Sequence, residues 1–109
     1  MKKFEEIKSQ INQVEESQIK NQQKIAALDQ IEKDLFETNK RGQSLLEQLY
    51  FYWKKDPEII NRLEQDQTDL NAHYRNVTDE LGTKRNAIIQ ENRNLNDVQG
   101  ELYTKLRRL

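Results

Sequence analysis

Mostly apolar residues recur at alternating intervals of three and four along nearly the whole chain. We call this series of positions the seam. In the first half these positions are Phe4, Ile7, Ile11, Val14, Gln18, Asn21, Ile25, Leu28, Glu32, Leu35, Asn39, Gly42, Leu46, Leu49 and Trp53. In the second half they are Ile60, Leu63, Gln67, Leu70, Tyr74, Val77, Leu81, Lys84, Ile88, Glu91, Leu95, Val98, Leu102, Leu106 and Leu109. Such spacing keeps side chains on one face of an α-helix, and sustained over many heptads it is typical of a coiled coil.

A reversal between the two halves is predicted near residues 54–57. Asp56 is a good N-cap residue, and Pro57 suits the first position of a helix. Lys54 and Lys55 would complement the negative end of the preceding helix dipole. We therefore predict an all-α fold, a long antiparallel two-helix hairpin that resembles a coiled coil. Helix 1 is expected at about 3–54 and helix 2 at about 57–108, in a single domain of residues 1–109.

Polar residues interrupt the predicted seam at similar depths in both helices. Folding at the reversal sets Asn21 opposite Glu91, with Gln18 one layer further along. The stem of Lys84 would cover apolar surface near Leu28. We expect Gln18, Asn21, Lys84 and Glu91 to form polar seam layers that fix the register of the helices. The same fold sets the small Gly42 opposite Leu70.

Four consecutive aromatic residues precede the reversal. Successive helical residues rotate by about 100°, so one seam cannot cover all four rings. Trp53 is expected to face helix 2 and Phe51 to point away from it, while Tyr50 and Tyr52 flank the seam, where Ile59 and its neighbours would cover them. We predict that Tyr50, Phe51, Tyr52, Trp53 and Ile59 form a partner-binding tip.

Composition excludes several other functions. Hydrophobic and charged residues each make up 34% of the chain, which can bury a narrow stripe but not a large core. The net charge of −1 offers no field for nucleic acid, and the absence of cysteine with a single histidine leaves no usual metal site. No catalytic motif is present, so we expect no enzyme activity, cofactor or metal. Membrane contact is not expected, although the aromatic and lysine-bearing tip leaves it as a third option. Without an apolar leader the chain is expected in the cytoplasm.

The layout resembles the WXG-type helical hairpins of type VII secretion. More narrowly, the hinge Tyr52-Trp53-Lys54-Lys55-Asp56-Pro57, between a first helix rich in Gln and Glu and a charged second helix, resembles the small α-helical partner proteins of LXG toxins. Lys55 stands where the WXG turn has glycine. An export motif of the form Y-x-x-x-D/E is absent, because Arg107 stands at the acidic place after Tyr103.

The resemblance implies an adaptor or targeting chaperone without chemistry of its own. Such a protein would bind the helical LXG domain of a type VII effector, together with a second small helical protein that carries the export signal. Co-export with these partners is compatible with this role. The alternative is a self-associating structural coiled coil, a spacer or scaffold that forms a homodimer or a larger homo-oligomer.

Overall fold

The computed structural model describes residues 2–109, and within them the chain forms two α-helices, α1 (Lys2–Trp53) and α2 (Pro57–Arg107). The helices pair as an antiparallel hairpin, which confirms the predicted fold class. Both helices end one residue earlier than expected, and α1 also begins one residue earlier, a difference within the usual fraying of helix ends. Lys54 and Lys55 consequently lie in the turn instead of the last turn of α1.

Asp56 organises the reversal. Its backbone N–H donates to the carbonyl of Trp53 (2.9 Å), and its own carbonyl accepts the N–H of Ile60 (3.0 Å). Its carboxylate oxygen Oδ1 accepts the backbone N–H groups of Glu58 (3.1 Å) and Ile59 (3.3 Å), as an N-cap does. Pro57, which has no N–H to satisfy, occupies the first helical position.

The observed seam follows the predicted positions along most of α1. From Ile7 to Leu49 each predicted position is at least partly covered, apart from Glu32. Phe4 and Trp53 are exposed at the two ends. An uninterrupted heptad pattern is therefore a good guide to the inner face of this helix.

In α2 beyond Leu81, three predicted seam positions are wrong by one residue, whereas the predicted Ile88, Leu95, Leu102 and Leu106 are covered as expected. Val77, Leu81 and Arg85 are successive inner positions four apart, after which the alternation of three and four resumes. The inner positions become Arg85, Asn92 and Gln99, while the predicted Lys84, Glu91 and Val98 are exposed. The reason is geometric, because a helix with 3.6 residues per turn drifts away from a strict repeat of 3.5.

The chain divides into two compact units. Unit 1 comprises the described part of Met1–Leu28 with Thr83–Leu109, and unit 2 is Asp29–Gly82. Unit 1 contains the buried residues Ile11 (4% exposed), Asn21 (3%) and Leu102 (7%). In unit 2, all of whose residues the structure describes, none is buried to this degree.

Within unit 2 the helices come close at Gly42. A Cβ atom placed on this glycine would lie 3.1 Å from Cδ2 of Leu70. This contact confirms the predicted pairing of a small residue in α1 with a large residue in α2.

Candidate functional site

The predicted tip lies at the end of unit 2 and exposes all four aromatic side chains. Tyr52 is 84% exposed, Phe51 70%, Tyr50 48% and Trp53 47%, whereas Ile59 is partly covered. The expectations that Trp53 packs into the seam and that Tyr50 and Tyr52 are covered were wrong. The turn after Trp53 is too short to fold over the rings, because Asp56 already starts α2.

The ammonium group of Lys54 lies against the ring of Phe51. The Nζ atom of Lys54 is 4.8 Å from the centre of the Phe51 ring, which is within the range of a cation–π contact. An exposed contact of this kind contributes about 0.5–1 kcal/mol. The lysine covers one side of the ring and leaves most of it in solvent.

Below the tip, the helices of unit 2 form a shallow groove of about 280 Å³. Leu46 and Tyr50 from α1 and Leu63 from α2 supply its apolar lining. Glu47, Glu64 and Gln67 form its polar part. The groove offers apolar surface beside the aromatic rings, and it has no histidine or cluster of basic side chains that would suit a phosphate.

Among the described residues, no group of three or more His, Asp or Glu side chains is close enough to hold a metal ion. The tip and the adjacent groove present aromatic and aliphatic side chains, together with the carboxylates of Glu47 and Glu64 and the amide of Gln67. Such groups recognise another polypeptide by packing and hydrogen bonding.

Unit 1 contains a ladder of amide side chains between the helices. Asn21 donates from Nδ2 to Oδ1 of Asn92 (3.0 Å). Gln18 donates from Nε2 to Oδ1 of Asn96 (2.6 Å) and also contacts Oε1 of Gln99 (3.3 Å). We call these five residues the amide ladder. Each amide carries both donors and an acceptor, so the ladder satisfies polar groups across the seam without a charge.

Two of the expected polar seam residues lie outside this ladder. Glu91 is exposed, and Asn92, one residue further along, is the partner of Asn21. Lys84 is also exposed and lines a groove with Leu28 and Ile88. A strict heptad repeat places the charged Glu91 in the seam. The actual rotation of α2 instead turns the amide of Asn92 toward α1. The amides of α2, spaced four and three apart at 92, 96 and 99, were the sequence signal for this arrangement.

Glu15 extends the ladder at its outer side. Its Oε1 atom accepts from Nε2 of Gln99 (3.3 Å) and from the hydroxyl of Tyr103 (3.1 Å). The hydrogen bond to Glu15 raises the pKa of Tyr103 above its usual value, because ionisation would break that bond and set two negative charges together. The Tyr103 hydroxyl therefore keeps its proton to a higher pH than an isolated tyrosine does.

Unit 2 has a smaller amide set and two unsatisfied polar atoms. Gln43 donates from Nε2 to Oδ1 of Asn71 and accepts from Nε2 of Gln67 (3.3 Å). The Oδ1 atom of Asn39 and the hydroxyl of Thr78 are shielded from solvent, with no hydrogen-bond partner among the described residues. The hydrogen bonding of polar side chains is therefore less complete here than in the amide ladder of unit 1. Each unsatisfied buried polar group costs about 1–3 kcal/mol.

The whole described chain, residues 2–109, matches a family model described as a protein of unknown function, DUF3958. The chain belongs to the DUF3958 family. Comparison of this DUF3958 protein with curated proteins and with solved structures gave no match. Membership in DUF3958 assigns no activity.

Neither helix of this DUF3958 protein has, within residues 2–109, an apolar stretch long enough to cross a membrane.

Proposed function

We propose that this protein is a non-enzymatic helical adaptor that binds the helical LXG domain of a type VII secretion effector. A second small helical protein would bind with it and carry the export signal. The resemblance of the hinge, Tyr52 to Pro57, to the partner proteins of LXG toxins supports the choice of partner.

The observation that carries the proposal is the exposure of four adjacent aromatic side chains at the tip. Exposed aromatic clusters are unfavourable in water and are common at the centres of protein interfaces. Phe51 and Tyr52 have the largest exposed fractions and are the expected anchors. Leu46 and Leu63, in the adjacent groove, would extend the contact toward the body of unit 2.

Co-expression of the tagged chain with an LXG domain and with a signal-bearing small helical protein tests this proposal. The expected result is one stoichiometric complex in size-exclusion chromatography with mass determination. Separate elution of the three proteins at micromolar concentration would refute the proposal.

Phe51→Ala tests the tip within that complex. Because the ring is 70% exposed, its removal should leave the helix content and melting temperature of the free chain nearly unchanged. Loss of an interface anchor should weaken binding by more than about 1 kcal/mol, which is about a fivefold rise in Kd.

Phe36→Ala is the matched control for this variant. Phe36 is an exposed phenylalanine of α1 that lies outside the tip. Titration calorimetry should give an unchanged Kd for Phe36→Ala and a raised Kd for Phe51→Ala. Equal Kd values for the two variants would show that the tip does not bind the effector.

A self-associating coiled coil is the second candidate function. It is favoured by the large accessible surface of the chain, 8928 Å² for 13.1 kDa. Sedimentation equilibrium of the purified chain distinguishes the two candidates. A stable homo-oligomer that does not bind the LXG domain would favour the structural role.

A further inference from the structure

One side of α1 carries a row of exposed residues at intervals of seven, centred on Ala27. The row consists of Glu6, Gln13, Lys20, Ala27, Asp34, Arg41 and Gln48, and all of them are exposed. Seven residues make nearly two full turns of an α-helix, so the row stays on one side and drifts by only about 20° per step. We call these residues the α1 row. Its small middle residue lets another helix approach closely.

The middle of the α1 row lies beside an open groove of unit 1. The groove has a volume of about 480 Å³, and its aliphatic lining consists of Ala27, Leu28, Ala87 and Ile88. Lys24 and Lys84 complete the lining. The two alanines come from different helices, so α1 and α2 both present a small side chain at the same level of the hairpin. A second pair of helices can therefore pack closely on this side.

The charges of the α1 row are complementary about Ala27. When a second copy of α1 packs antiparallel on the row with Ala27 facing Ala27, Lys20 of each copy meets Asp34 of the other. The remaining pairs of the row are Arg41 with Gln13 and Glu6 with Gln48. No two like charges face each other in this arrangement, whereas parallel packing of the two rows would set each charged residue against its own copy. The charge pattern therefore favours an antiparallel second copy.

The groove side of α2 carries a second row that is centred in the same way. This α2 row consists of His73, Glu80, Ala87, Asn94 and Glu101, again at intervals of seven, and all five are exposed. About Ala87 an antiparallel copy sets Glu80 against Asn94 and His73 against Glu101. The α2 row therefore also brings no two carboxylates together.

The residues between the α2 row and α1 add an ion pair and an apolar contact. Lys84 and Glu91 are exposed and lie seven residues apart, one on each side of Ala87. In the antiparallel arrangement Lys84 of each copy meets Glu91 of the other. The next residues of this series, Val77 and Val98, meet in the same way. Val98 is 42% exposed in the single chain, so the arrangement covers apolar surface that one hairpin leaves in solvent.

The net charges of the two units favour the same orientation. Unit 1 contains 11 Lys and Arg against 7 Asp and Glu, a net charge of +4, and unit 2 contains 7 against 12, a net charge of −5. Helix α1 runs through both units. Antiparallel packing of two α1 helices about Ala27 therefore lays unit 1 of each copy beside unit 2 of the other, and opposite charges attract.

The chain has enough exposed surface for such an interface. A compact monomer of this mass exposes about 6,400 Å². The chain exposes 8928 Å², an excess of about 2,500 Å². A standard interface removes about 800 Å² from each partner, which is well below this excess.

We propose that two copies of this chain pack antiparallel through the side of the hairpin that carries Ala27 and Ala87, and so form a four-helix bundle. The alanines lie near the two-fold axis, and each ion pair, Lys20 with Asp34 and Lys84 with Glu91, forms twice. The inference goes beyond the adaptor function and does not depend on it. Phe51 and Trp53 of the tip belong to neither row.

The absence of cysteine from the chain permits a direct test of the orientation. Ser17→Cys and Thr38→Cys place thiols beside the α1 row, at nearly equal distances on the two sides of Ala27. Thr68→Cys places the matched control thiol at an exposed position on another side of α2. Pairs of full-length variants, one of them with a mass tag, are mixed and oxidised at micromolar concentration. Intact mass then identifies which chains are joined by a disulfide.

The expected result is at least tenfold more of the mixed 17–38 disulfide than of the 17–17 or 38–38 disulfides, because a disulfide needs Cα atoms within about 7 Å. The 17–68 mixture should show no such excess. An excess of the 17–17 and 38–38 disulfides would overturn the antiparallel orientation. Equal yields of all pairs, the 17–68 pair included, would indicate random collisions and overturn the proposal.

Sedimentation equilibrium with and without an LXG domain separates this proposal from the adaptor function. A dimer that binds the domain supports both. A monomer that binds the domain overturns the dimer and leaves the adaptor function standing. A dimer that does not bind the domain supports the dimer and refutes the adaptor function, and a monomer that does not bind it overturns both.

A charge exchange tests the register of the dimer. Lys20→Glu should raise the Kd of the dimer at least fivefold, because both Lys20–Asp34 pairs become repulsive, and Asp34→Lys should do the same. The chain with both substitutions should recover the original affinity, because the exchanged charges attract again. The two positions are fourteen residues apart on one helix, about 21 Å, so recovery cannot arise within one copy. Circular dichroism should be unchanged, because both residues are exposed. A double variant that dimerises as weakly as the single variants would refute this register.

Discussion

Units 1 and 2 are built from the same two helices, yet they cover their inner faces to different degrees. In unit 1, Ile11 and Leu102 are buried, and Asn21 is buried against a hydrogen-bonded partner. Unit 2 contains no residue buried to that degree, although the structure describes it completely. It also exposes seven of the large apolar side chains, all on α1.

This difference indicates a division of roles along the hairpin. In unit 1 the amide ladder joins polar groups of the two helices by hydrogen bonds, which favours one register of the pair. Unit 2 leaves aromatic and aliphatic surface uncovered and shields polar atoms of Asn39 and Thr78 that have no partner among the described residues. A folded chain can keep such a region when binding to another protein supplies the missing contacts.

The largest expected effect on stability is in the apolar part of unit 1. Leu102→Ala should lower the free energy of unfolding by about 2–4 kcal/mol, because it leaves a cavity at a side chain that is only 7% exposed. Leu45→Ala, at an exposed position of α1 in unit 2, should change it by less than about 0.5 kcal/mol. Urea titrations followed by circular dichroism measure both changes. Similar losses would show that unit 2 is as well packed in solution as unit 1.

The amide ladder should contribute the next largest effect. Asn21→Ala removes the donor to Asn92 and should cost about 1–2 kcal/mol, because it leaves a partly shielded amide unpaired. The double variant Asn21→Leu with Asn92→Leu should recover that loss, because neither side then has an unsatisfied polar group. A double-mutant cycle in urea measures the coupling. Strict additivity of the two single substitutions to alanine would show that the two amides do not interact in solution.

Trp53→Ala tests the exposure of the tip. A fully buried tryptophan would cost about 3–5 kcal/mol on truncation. Because Trp53 is 47% exposed, we expect roughly half of that loss, about 1.5–2.5 kcal/mol, measured by thermal unfolding. A loss at the upper end that grows with protein concentration would mean that another molecule covers the tip.

The glycines should give the smallest effects, and these effects should differ in a defined order. Gly82→Ala and Gly100→Ala each add a methyl group to open space, so helix propensity should raise stability by about 0.5–1 kcal/mol. Gly42→Ala should gain less or lose stability, because its methyl group would lie 3.1 Å from Leu70. Chemical unfolding of the three variants gives the order. A gain at Gly42 equal to that at Gly100 would show that the helices of unit 2 separate easily at this point.

The sequence predicted the helices, the reversal and most of the inner face, because these follow from local rules. The cap at Asp56 and the spacing of apolar residues in α1 depend only on neighbours along the chain. The Gly42–Leu70 contact followed from folding the chain at the reversal, and the structure confirms it.

Features that depend on helix rotation and on coverage by other residues were harder to predict. The pairing of Asn21 with Asn92 instead of Glu91 depends on how far α2 has drifted from a repeat of 3.5 beyond Leu81. The exposure of Trp53 depends on the length of the turn, since a seam position at the end of a helix has no following turn to cover it. Neither the rotation of α2 beyond Leu81 nor the coverage of Trp53 by the turn can be read from residue spacing alone.

The neutral amides of the ladder have a further consequence, for the response of the protein to salt. Dissolved ions screen interactions between charges over about 8–10 Å at physiological ionic strength, but they hardly affect short hydrogen bonds between uncharged groups. The pairing of Gln18 and Asn21 with α2 should therefore be the same in dilute buffer and in concentrated salt. Raising the salt concentration should thus leave the register of the two helices in unit 1 unchanged.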